Sequence, residues 1–313
     1  MSFGVPQGSV LGPVLFLLYI NDLNMCLDGT GVATTMYADD TSFLLSSKDD
    51  RSLEARCGEV LRAAAAWFGQ NSLYLNEEKT TYIRFHPHQK RLNTNFQLST
   101  GSGDIKPTDT VKFPGIWVDK NLNFKNHCQQ LISRLSSACY LFRNLRGVLT
   151  LPQMLALYHA QIHSRLRYCV AFWGLSTLSG NVFISQKRVV RCMAGVSDNT
   201  ISCRGLFKQF GILTLTGVLI LELAVRIFQS RGILHIGGEF HTYDTRNRSQ
   251  LRTPFHSLTL SQRSPEYMGI KIYNKLPICI KSRTTLHTFK TYLKSYLIEG
   301  CFYSLEEFFE YNY

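Results

Sequence analysis

The sequence predicts an α+β fold, in which an antiparallel sheet with packed helices is followed by a mostly helical remainder. Three observations predict it. The first 120 residues mix amphipathic stretches with runs rich in β-branched and aromatic side chains. From residue 121 onward, the apolar residues recur at helical spacing. With 313 residues, 45% of them hydrophobic, the chain can bury a large core in two or three compact units.

The charge balance indicates a polyanionic partner. The chain has 34 Lys+Arg against 22 Asp+Glu, a net charge of +12 and a pI near 9.3. Such an excess favours nucleic acid over a membrane surface, although a basic protein with a solvated surface has the same composition. The apolar runs 10–20 and 209–221 are shorter than the roughly 20 residues of a spanning helix, so we expect both in the core and no membrane partner.

The nine cysteines occur without a C-x-x-C pair. Several of them fall on apolar helix faces, which favours buried free thiols in a reducing compartment over disulfides or a zinc site. No secretion signal is recognisable. We therefore expect an intracellular protein of the nucleus or the cytoplasm.

The first 45 residues predict a helix followed by a hairpin. Pro13 suits the first turn of an apolar helix, because its missing N–H would be unpaired there anyway. Residues 31–35 and 41–45 are rich in β-branched and aromatic side chains, which predicts two strands with residues 38–40 between them.

A long amphipathic helix and short strands complete the first 120 residues. The apolar side chains of residues 53–68 recur at helical spacing, with Ser47 as the predicted cap and Gly69 at the end. Beyond this helix the sequence predicts a strand over 81–85, a polar loop over 86–109 and one further strand over 111–118.

Helices dominate the rest of the sequence. Apolar stripes predict a packed bundle of helices over 128–145, 152–174, 184–195 and 211–229. A polar, basic loop over 243–264 leads to a final helix over 285–300.

The pair Asp39-Asp40 stands inside the apolar run MYADDTSFLL. Burying a carboxylate costs several kcal/mol, and two adjacent carboxylates repel each other as well. A divalent cation resolves both problems: Mg²⁺ prefers oxygen ligands, takes one or two carboxylates and leaves its other positions to water and phosphates. Two such ions, roughly 4 Å apart, activate a hydroxyl nucleophile and stabilise the departing oxygen in phosphoryl transfer.

Four sequence blocks carry a family resemblance. They are residues 4–16 (GVPQGSVLGPVLF), Tyr37–Asp40 (YADD), residues 75–80 and residues 111–116, where Pro114 replaces the usual leucine. In this order they resemble the reverse transcriptase of non-LTR (LINE-like, jockey-type) retrotransposons. The stretches TRNRSQL and SPEYMGIKIYNKLP resemble the region C-terminal to the polymerase in insect elements of this group.

The resemblance implies an RNA-directed DNA polymerase that uses Mg²⁺ or Mn²⁺, deoxynucleoside triphosphates, an RNA template and a DNA primer. As architecture it implies a partial polymerase palm over residues 1–120, a helical thumb-like region over 121–235 and a C-terminal region of unknown role over 236–313. The oligomeric state stays open.

The resemblance also implies a role for each site residue. Asp39 is the principal metal ligand and catalytic residue, and Asp40 is the second ligand. Lys79 supplies positive charge or a proton at the leaving pyrophosphate. The other implied positions are nucleotide or template contacts at Gln7, Gly8 and Tyr37 and primer-grip contacts at Phe113 and Gly115.

Several of these residues have a simpler alternative role. Tyr37 is an aromatic residue in a strand, where packing is the usual function, and Phe113 fits a core position. Lys79 fits an exposed turn, and Gln7 could cap the first helix. For Asp39 and Asp40, no simpler role accounts for both the pair and its apolar flanks.

Two-metal polymerases of this family use a third carboxylate on an earlier strand. That block would fall before Met1, so we expect an N-terminally truncated enzyme with impaired activity and with exposed apolar surface. Asp22 and Asp28 are poor replacements, because neither is flanked by a β-branched strand.

A non-catalytic nucleic-acid-binding remnant is the alternative function, and an inert fragment is a third. In the remnant, phosphate contacts dominate and affinity falls steeply with salt. The residues expected to contact the nucleic-acid backbone are Lys187, Arg188 and Arg191, which share one side of a helix, and the Arg246-Arg248-Arg252 stretch. A solvated charged face is the competing interpretation of these cations.

Overall fold

A computed structural model of the protein describes residues 8–87, 96–100, 103–196, 198, 200–235, 250–256 and 258–311. Within these residues the chain combines many helices with small sheets, which confirms the predicted α+β class. The chain divides into two compact units, the first made of residues 1–115 and 120–122 and the second of residues 116–119 and 123–313.

Helix α2 (Asp50–Gln70) is the central element of the first unit. The elements before it in the chain are α1 (Leu11–Ile20), a 3₁₀ helix (Asn21–Leu27), and the hairpin of β1 (Ala33–Tyr37) and β2 (Asp40–Leu44). They meet α2 in a small core that consists of Ile20, Leu23, Ala64 and Trp67, with Met36 and Phe43 from the hairpin packed against it.

The start of α2 differs from the predicted one. The Asp49 carboxylate accepts a hydrogen bond from the Ser52 N–H at 2.8 Å, so Asp49 is the N-cap and the prediction of Ser47 is wrong. An aspartate directly before the first helical turn satisfies an otherwise unpaired N–H and also suits the positive end of the helix dipole. The predicted helix itself is confirmed.

Helix α1 is apolar on all sides, and only its Phe16 and Ile20 reach the small core. Five apolar side chains of this helix and of the residue before it leave more than half of their surface exposed: Val10, Leu11, Val14, Leu17 and Leu18. The prediction that the apolar run 10–20 lies in the core is therefore wrong for most of the run, and α1 carries an exposed apolar surface.

A second, mixed sheet forms where the sequence predicted mainly a loop. Its strands are β3 (Thr81–Tyr82), β4 (Leu98–Ser99) and β5 (Asp104–Pro107), in the order β3-β5-β4, with β3 parallel and β4 antiparallel to β5. Strands of two to four residues are too short to show an alternating pattern, which is why the prediction of a loop over 86–109 was wrong. The strand predicted over 81–85 is shorter than expected.

The single strand predicted over 111–118 is two strands, β6 (Thr110–Phe113) and β7 (Ile116–Asp119), and the boundary between the two units runs through the turn that joins them. Pro114 and Gly115 form this turn, and Gly115 has φ +78°. Proline followed by a residue with positive φ is the pattern of a type II turn. Pro114 therefore lies outside both strands.

The second unit is helical. In chain order its helices are α3 (Lys125–Leu145), α4 (Leu151–Tyr158), a π-helical turn (His159–His163), α5 (Ser164–Arg167), α6 (Val170–Trp173), α7 (Ser179–Ala194), α8 (Arg204–Phe210), α9 (Leu215–Ser230), α10 (Thr259–Gln262), α11 (Pro265–Lys275), α12 (Ile278–Lys281), α13 (Leu286–Gly300) and α14 (Leu305–Glu310). All of these helices except α10 contribute to one large apolar core, which confirms the predicted bundle and also includes α11, α13 and α14.

The helix predicted over 152–174 is broken into several pieces. Thr150 and Gln153 form a capping box that begins α4. At the π-helical turn, the backbone hydrogen bonds span five residues instead of four. The chain then leaves helical geometry at Cys169, which has φ +52°. The apolar stripe hides these breaks, because Leu166 and Val170 on either side of Cys169 are both buried in the same core.

Helices α8 and α9 contain the apolar run 209–221. Ile212, Leu213 and Leu219 of this run are buried in the core of the second unit, as expected for core residues. Among the described residues, no single helix is long and apolar enough to cross a membrane, whereas α8 and α9 reach the necessary length and composition together, with a bend of 55° between them.

A buried amide ties three segments of the second unit together. Gln186 of α7 donates from Nε2 to the Tyr158 hydroxyl and to the Leu213 carbonyl, both at 2.9 Å, and its Oε1 accepts from the Leu215 N–H at 2.8 Å. Thr214 adds a link to the C-terminal segment by donating to the Phe302 carbonyl at 2.7 Å. Every polar group in this network has a partner, as buried polar groups require.

We predict that Gln186→Leu lowers the free energy of unfolding by about 3 kcal/mol, because leucine leaves a hydroxyl, a carbonyl and an N–H without partners in the core. Urea denaturation followed by circular dichroism measures the change. Tyr158→Phe is the matched control: it removes one of the three bonds and should cost about 1 kcal/mol. Equal losses in the two variants would contradict the network.

We also predict that stability falls with acidity. Burial, with additional repulsion from His159, Arg167 and Lys294, lowers the pKa of His163 to about 4, and burial lowers the pKa of His127 as well. As the pH drops below 6.5, the unfolded chain takes up protons that the folded chain does not, so stability present at pH 7 is lost down to pH 4.

His163 should contribute about 2 kcal/mol of this loss, a value reduced from the full shift because the imidazole is partly solvated. Urea denaturation of the protein and of His163→Gln at pH 7 and pH 4.5 measures it. The variant should show a smaller loss between the two pH values than the parent, and His287→Gln, at an exposed histidine of α13, should leave the loss unchanged. An identical pH dependence for His163→Gln and the parent would refute the assignment.

Candidate active site

The hairpin of β1 and β2 closes with a loop of two residues, Ala38 and Asp39. Tyr37 pairs directly with Asp40 across the two strands, and the register continues with Met36 opposite Thr41. Ala38 has φ +52° at the first loop position, where a two-residue hairpin loop of type II′ has its positive φ. A loop this short leaves little freedom to the residues at the tip.

The two faces of the hairpin differ in exposure. Met36 and Phe43 pack against the small core of the first unit, whereas Tyr37 and Asp40 share the opposite, exposed face. Tyr37 leaves 66% of its surface exposed, so it is not a packing residue. The alternation follows from the strand period of two, and it explains how an apolar run can hold carboxylates without burying them.

Asp39 and Asp40 are both exposed at the tip. Among the described residues, neither carboxylate has a side-chain hydrogen bond or an ion pair, so their oxygens are accessible to a ligand. The described part of the chain contains no group of three His, Cys, Asp or Glu side chains that could hold a metal ion. Two exposed carboxylates still suit a hard divalent cation whose other ligands are water and phosphate oxygens.

Lys79 lies in a turn that Asn76 organises. The Asn76 side chain accepts a hydrogen bond from the Lys79 N–H at 3.1 Å, and the Asn76 carbonyl accepts one from the Thr80 hydroxyl at 2.8 Å. This local Asx-type turn explains the Asn and Thr of the third sequence block. The Lys79 side chain is exposed, and within the described residues it forms no ion pair with Asp39 or Asp40. Its role at the pyrophosphate stays a prediction.

The remaining predicted contacts of the first unit lie near chain turns. Gly8 has φ +86° and is exposed, while Gln7 falls outside the described residues. Near the start of α1, the Ser9 hydroxyl accepts a hydrogen bond from the Gly12 N–H at 3.1 Å. Phe113 ends β6 with 39% of its surface exposed, so it is not a core residue, and Gly115 provides the positive φ of the following turn.

The predicted backbone-binding cations of the second unit differ in their surroundings. The Lys187 ammonium lies 4.9 Å from the centre of the Phe183 ring and 5.3 Å from that of Tyr303. Arg191 donates to the Ile201 carbonyl at 2.9 Å. Arg188 is exposed. Only Arg188 of these three points to solvent without a contact described in the structure, and Arg246 and Arg248 fall outside the described residues.

Two polar residues on the exposed hairpin face were not among the predicted site residues. Thr35 and Ser42 are paired on the same face as Tyr37 and Asp40, next to the tip. The alternation that buries Met36 and Phe43 predicts this placement, because residues two apart in a strand share a face. Counting two residues back from Tyr37 and two residues on from Asp40 would have found both.

Comparison with known proteins identifies the first unit. Residues 1–118 match the model of the reverse transcriptase (RNA-dependent DNA polymerase) family. The probable RNA-directed DNA polymerase from transposon BS of Drosophila melanogaster is 28% identical over an alignment of 213 positions, which covers 62% of this chain and 22% of that protein. The RNA-directed DNA polymerase from mobile element jockey of the same species is 27% identical over an alignment of 206 positions, with the same two coverages.

A third relative is the retrovirus-related Pol polyprotein from type-1 retrotransposable element R1 2 of Nasonia vitripennis. It is 24% identical over an alignment of 185 positions, which covers 54% of this chain and 43% of that protein. No solved structure matches. The chain spans about a fifth of the length of the first relatives. Residues 1–118 therefore form a reverse transcriptase domain, and its homologues are RNA-directed DNA polymerases of non-LTR retrotransposons.

Proposed function

We propose that this chain contributes to RNA-directed DNA synthesis, in which a DNA primer is extended with deoxynucleoside triphosphates on an RNA template. One observation carries the proposal: a tight hairpin that leaves the consecutive residues Asp39 and Asp40 exposed at its tip, outside the core, within a domain that matches the reverse transcriptase family. A short turn held by packing on one face is a rigid support for catalytic groups.

Asp39 and Asp40 are the residues that would hold a divalent cation, Mg²⁺ or Mn²⁺. Their hard, exposed carboxylate oxygens fit such an ion when water and nucleotide phosphates complete its ligands. When bound there, the ion supplies charge stabilisation to the attacking hydroxyl and to the departing pyrophosphate. Asp39 is the principal ligand in this proposal and Asp40 the second.

The other site residues position substrates. Tyr37 is exposed on the face that it shares with Asp40, where its ring can stack on a base of the primer end or of the nucleotide. Gly8 allows close approach of a template or nucleotide to the backbone. Lys79 supplies positive charge or a proton at the leaving group, and Phe113 with Gly115 steadies the primer.

A second candidate function, nucleic-acid binding by the second unit, is favoured by the distribution of charge. The second unit carries 23 Lys+Arg and 10 Asp+Glu, a net charge of +13, whereas the first carries 11 and 12, a net charge of −1. The whole positive excess of the chain therefore belongs to the unit without the aspartate pair. Phosphate backbones are the partners that such a surface attracts.

We predict that Asp39→Asn abolishes primer extension. Extension of an oligo(dT) primer on a poly(rA) template with Mg²⁺ or Mn²⁺ should fall at least a hundredfold in the variant, because the amide removes the charge that holds the cation. Omission of the metal should have the same effect in the parent chain. Asp28→Asn, an equivalent change at an exposed loop aspartate, should leave extension unchanged.

The outcomes separate the two candidate functions. Extension that persists in Asp39→Asn would overturn the role of the hairpin. If the folded parent chain binds the primed template but does not extend the primer, nucleic-acid binding is left as the function. Extension that is lost in both Asp39→Asn and Asp22→Asn would identify Asp22 as a further acidic ligand.

We further predict that Arg188→Gln weakens nucleic-acid binding more than Lys187→Gln does. Arg188 is exposed, whereas the Lys187 ammonium is already placed over two aromatic rings. Loss of one phosphate contact should reduce the slope of log affinity against log salt by about 1. Fluorescence anisotropy with a labelled oligonucleotide, in EDTA and at several salt concentrations, measures both slopes. An unchanged slope for Arg188→Gln would contradict a phosphate contact there.

A further inference from the structure

A π-helical turn brings two histidines together on the second unit. His159 and His163 are four residues apart in this turn, and their ring centroids are 5.3 Å apart at an angle of 73°. Tyr158 packs edge-on against His159, at 5.6 Å, and its hydroxyl is held by the buried Gln186. The turn is therefore anchored to the core on one side and exposes His159 on the other. π-helical turns are rare and occur often at functional sites.

Cations from two other helices surround this pair. Lys294 of α13 lies close enough to act electrostatically on both imidazoles, and Arg167 of α5 acts on His163. The Arg167 guanidinium is paired with Glu222 of α9 at 2.5 Å. Lys294 is exposed and, within the described residues, has no carboxylate partner. The turn thus gathers donors and positive charge, and its one described carboxylate is already engaged.

His163 directs one nitrogen inward. Its Nδ1 is buried and, among the described residues, has no hydrogen-bond partner. An unpaired lone pair in such a position costs less than an unpaired N–H, so we assign the proton of the neutral ring to Nε2. The Nε2–H is then the hydrogen-bond donor of this side chain. A donor, an exposed imidazole and an unpaired ammonium at one place form a receptor for an oxyanion.

We propose that His159, His163 and Lys294 form a phosphate-binding site that takes a phosphodiester group of a nucleic-acid backbone. This proposal rests on the second candidate function above, and it assigns the position at which one backbone phosphate is held. A nucleic acid fits better than a free metabolite, because the unit has a net charge of +13 and His159 and Lys294 are exposed.

Binding at this site is coupled to proton uptake. Without an anion, burial lowers the pKa of both histidines, and repulsion from the neighbouring cations lowers it further. The pKa of His163 is about 4, and that of His159 lies below its ordinary value. A phosphate beside the rings favours their charged form and opposes both effects. The complex therefore binds more protons than the free protein, and affinity rises as the pH falls below neutrality.

The test measures affinity of the full chain for a labelled single-stranded oligonucleotide in EDTA, at pH 7.5 and pH 5.5. The parent chain should bind about tenfold more tightly at the lower pH. His163→Gln should remove most of this gain, and Lys294→Gln should reduce the salt slope by about 1 at either pH. Lys125→Gln, at an exposed lysine of α3, is the matched control for Lys294→Gln, and His287→Gln, at an exposed histidine two turns before Lys294 on α13, is the control for His163→Gln.

A second measurement guards against misfolding and against a purely ionic effect. Inorganic phosphate should shift the C2–H NMR resonances of His159 and His163 and raise their titration midpoints, while the His287 resonance stays in place. Because Lys294 is exposed, Lys294→Gln keeps the test informative if a histidine variant is unstable.

The results distinguish the site from the function on which it rests. No binding by the parent chain at any salt would refute nucleic-acid binding by this chain, and the site with it. Binding with the same pH dependence and salt slope in the parent and in both site variants would refute this site alone. If inorganic phosphate shifts the histidine resonances but the variants bind the oligonucleotide as tightly as the parent, the cluster is a site for free phosphate. That result also overturns the proposal.

Discussion

The candidate site depends on the packing of one hairpin face against α2. Met36 and Phe43 reach the small core beside Ala64 and Trp67, and this contact decides which side of each strand is buried. Every other side chain of the hairpin follows from that choice, because strand side chains alternate. Tyr37 and Asp40 are thereby placed outward, and the short loop fixes Asp39 beside them. A slip of one residue in β2 would turn Asp40 towards the core, on the side where Thr41 and Phe43 now lie.

The two units secure their folds by different means. The first has two small buried clusters and leaves much of α1 exposed. The second joins residues from α3 to α14 in one core and links distant segments through fully satisfied polar groups, such as Gln186 and Thr214. Burial of apolar surface is the main source of stability, so the second unit is the more strongly held of the two. The aspartate hairpin thus belongs to the less strongly held unit.

Sequence reasoning succeeded where one period or one motif determines the local structure. The hairpin was predictable from its β-branched strands and the aspartates between them, and α3 and α13 from uninterrupted apolar stripes. It failed where a tertiary contact or a backbone angle decides the structure. The π-helical turn, the positive φ of Cys169 and the short strands β3 to β5 leave no periodic trace. The aromatic rings around Lys187 come from distant segments, so a charge pattern could not reveal them.

The division of charge between the units has a kinetic consequence. A surface with a net charge of +13 accelerates encounter with a polyanion by long-range attraction, and a nearly neutral surface does not. Under the proposed function, a strand held by the second unit meets the first in an intramolecular step, because both units belong to one chain. The aspartate hairpin then needs little intrinsic affinity of its own. Under the proposed function, the second unit sets how long a template stays bound to the protein, and the first unit carries out DNA synthesis on it.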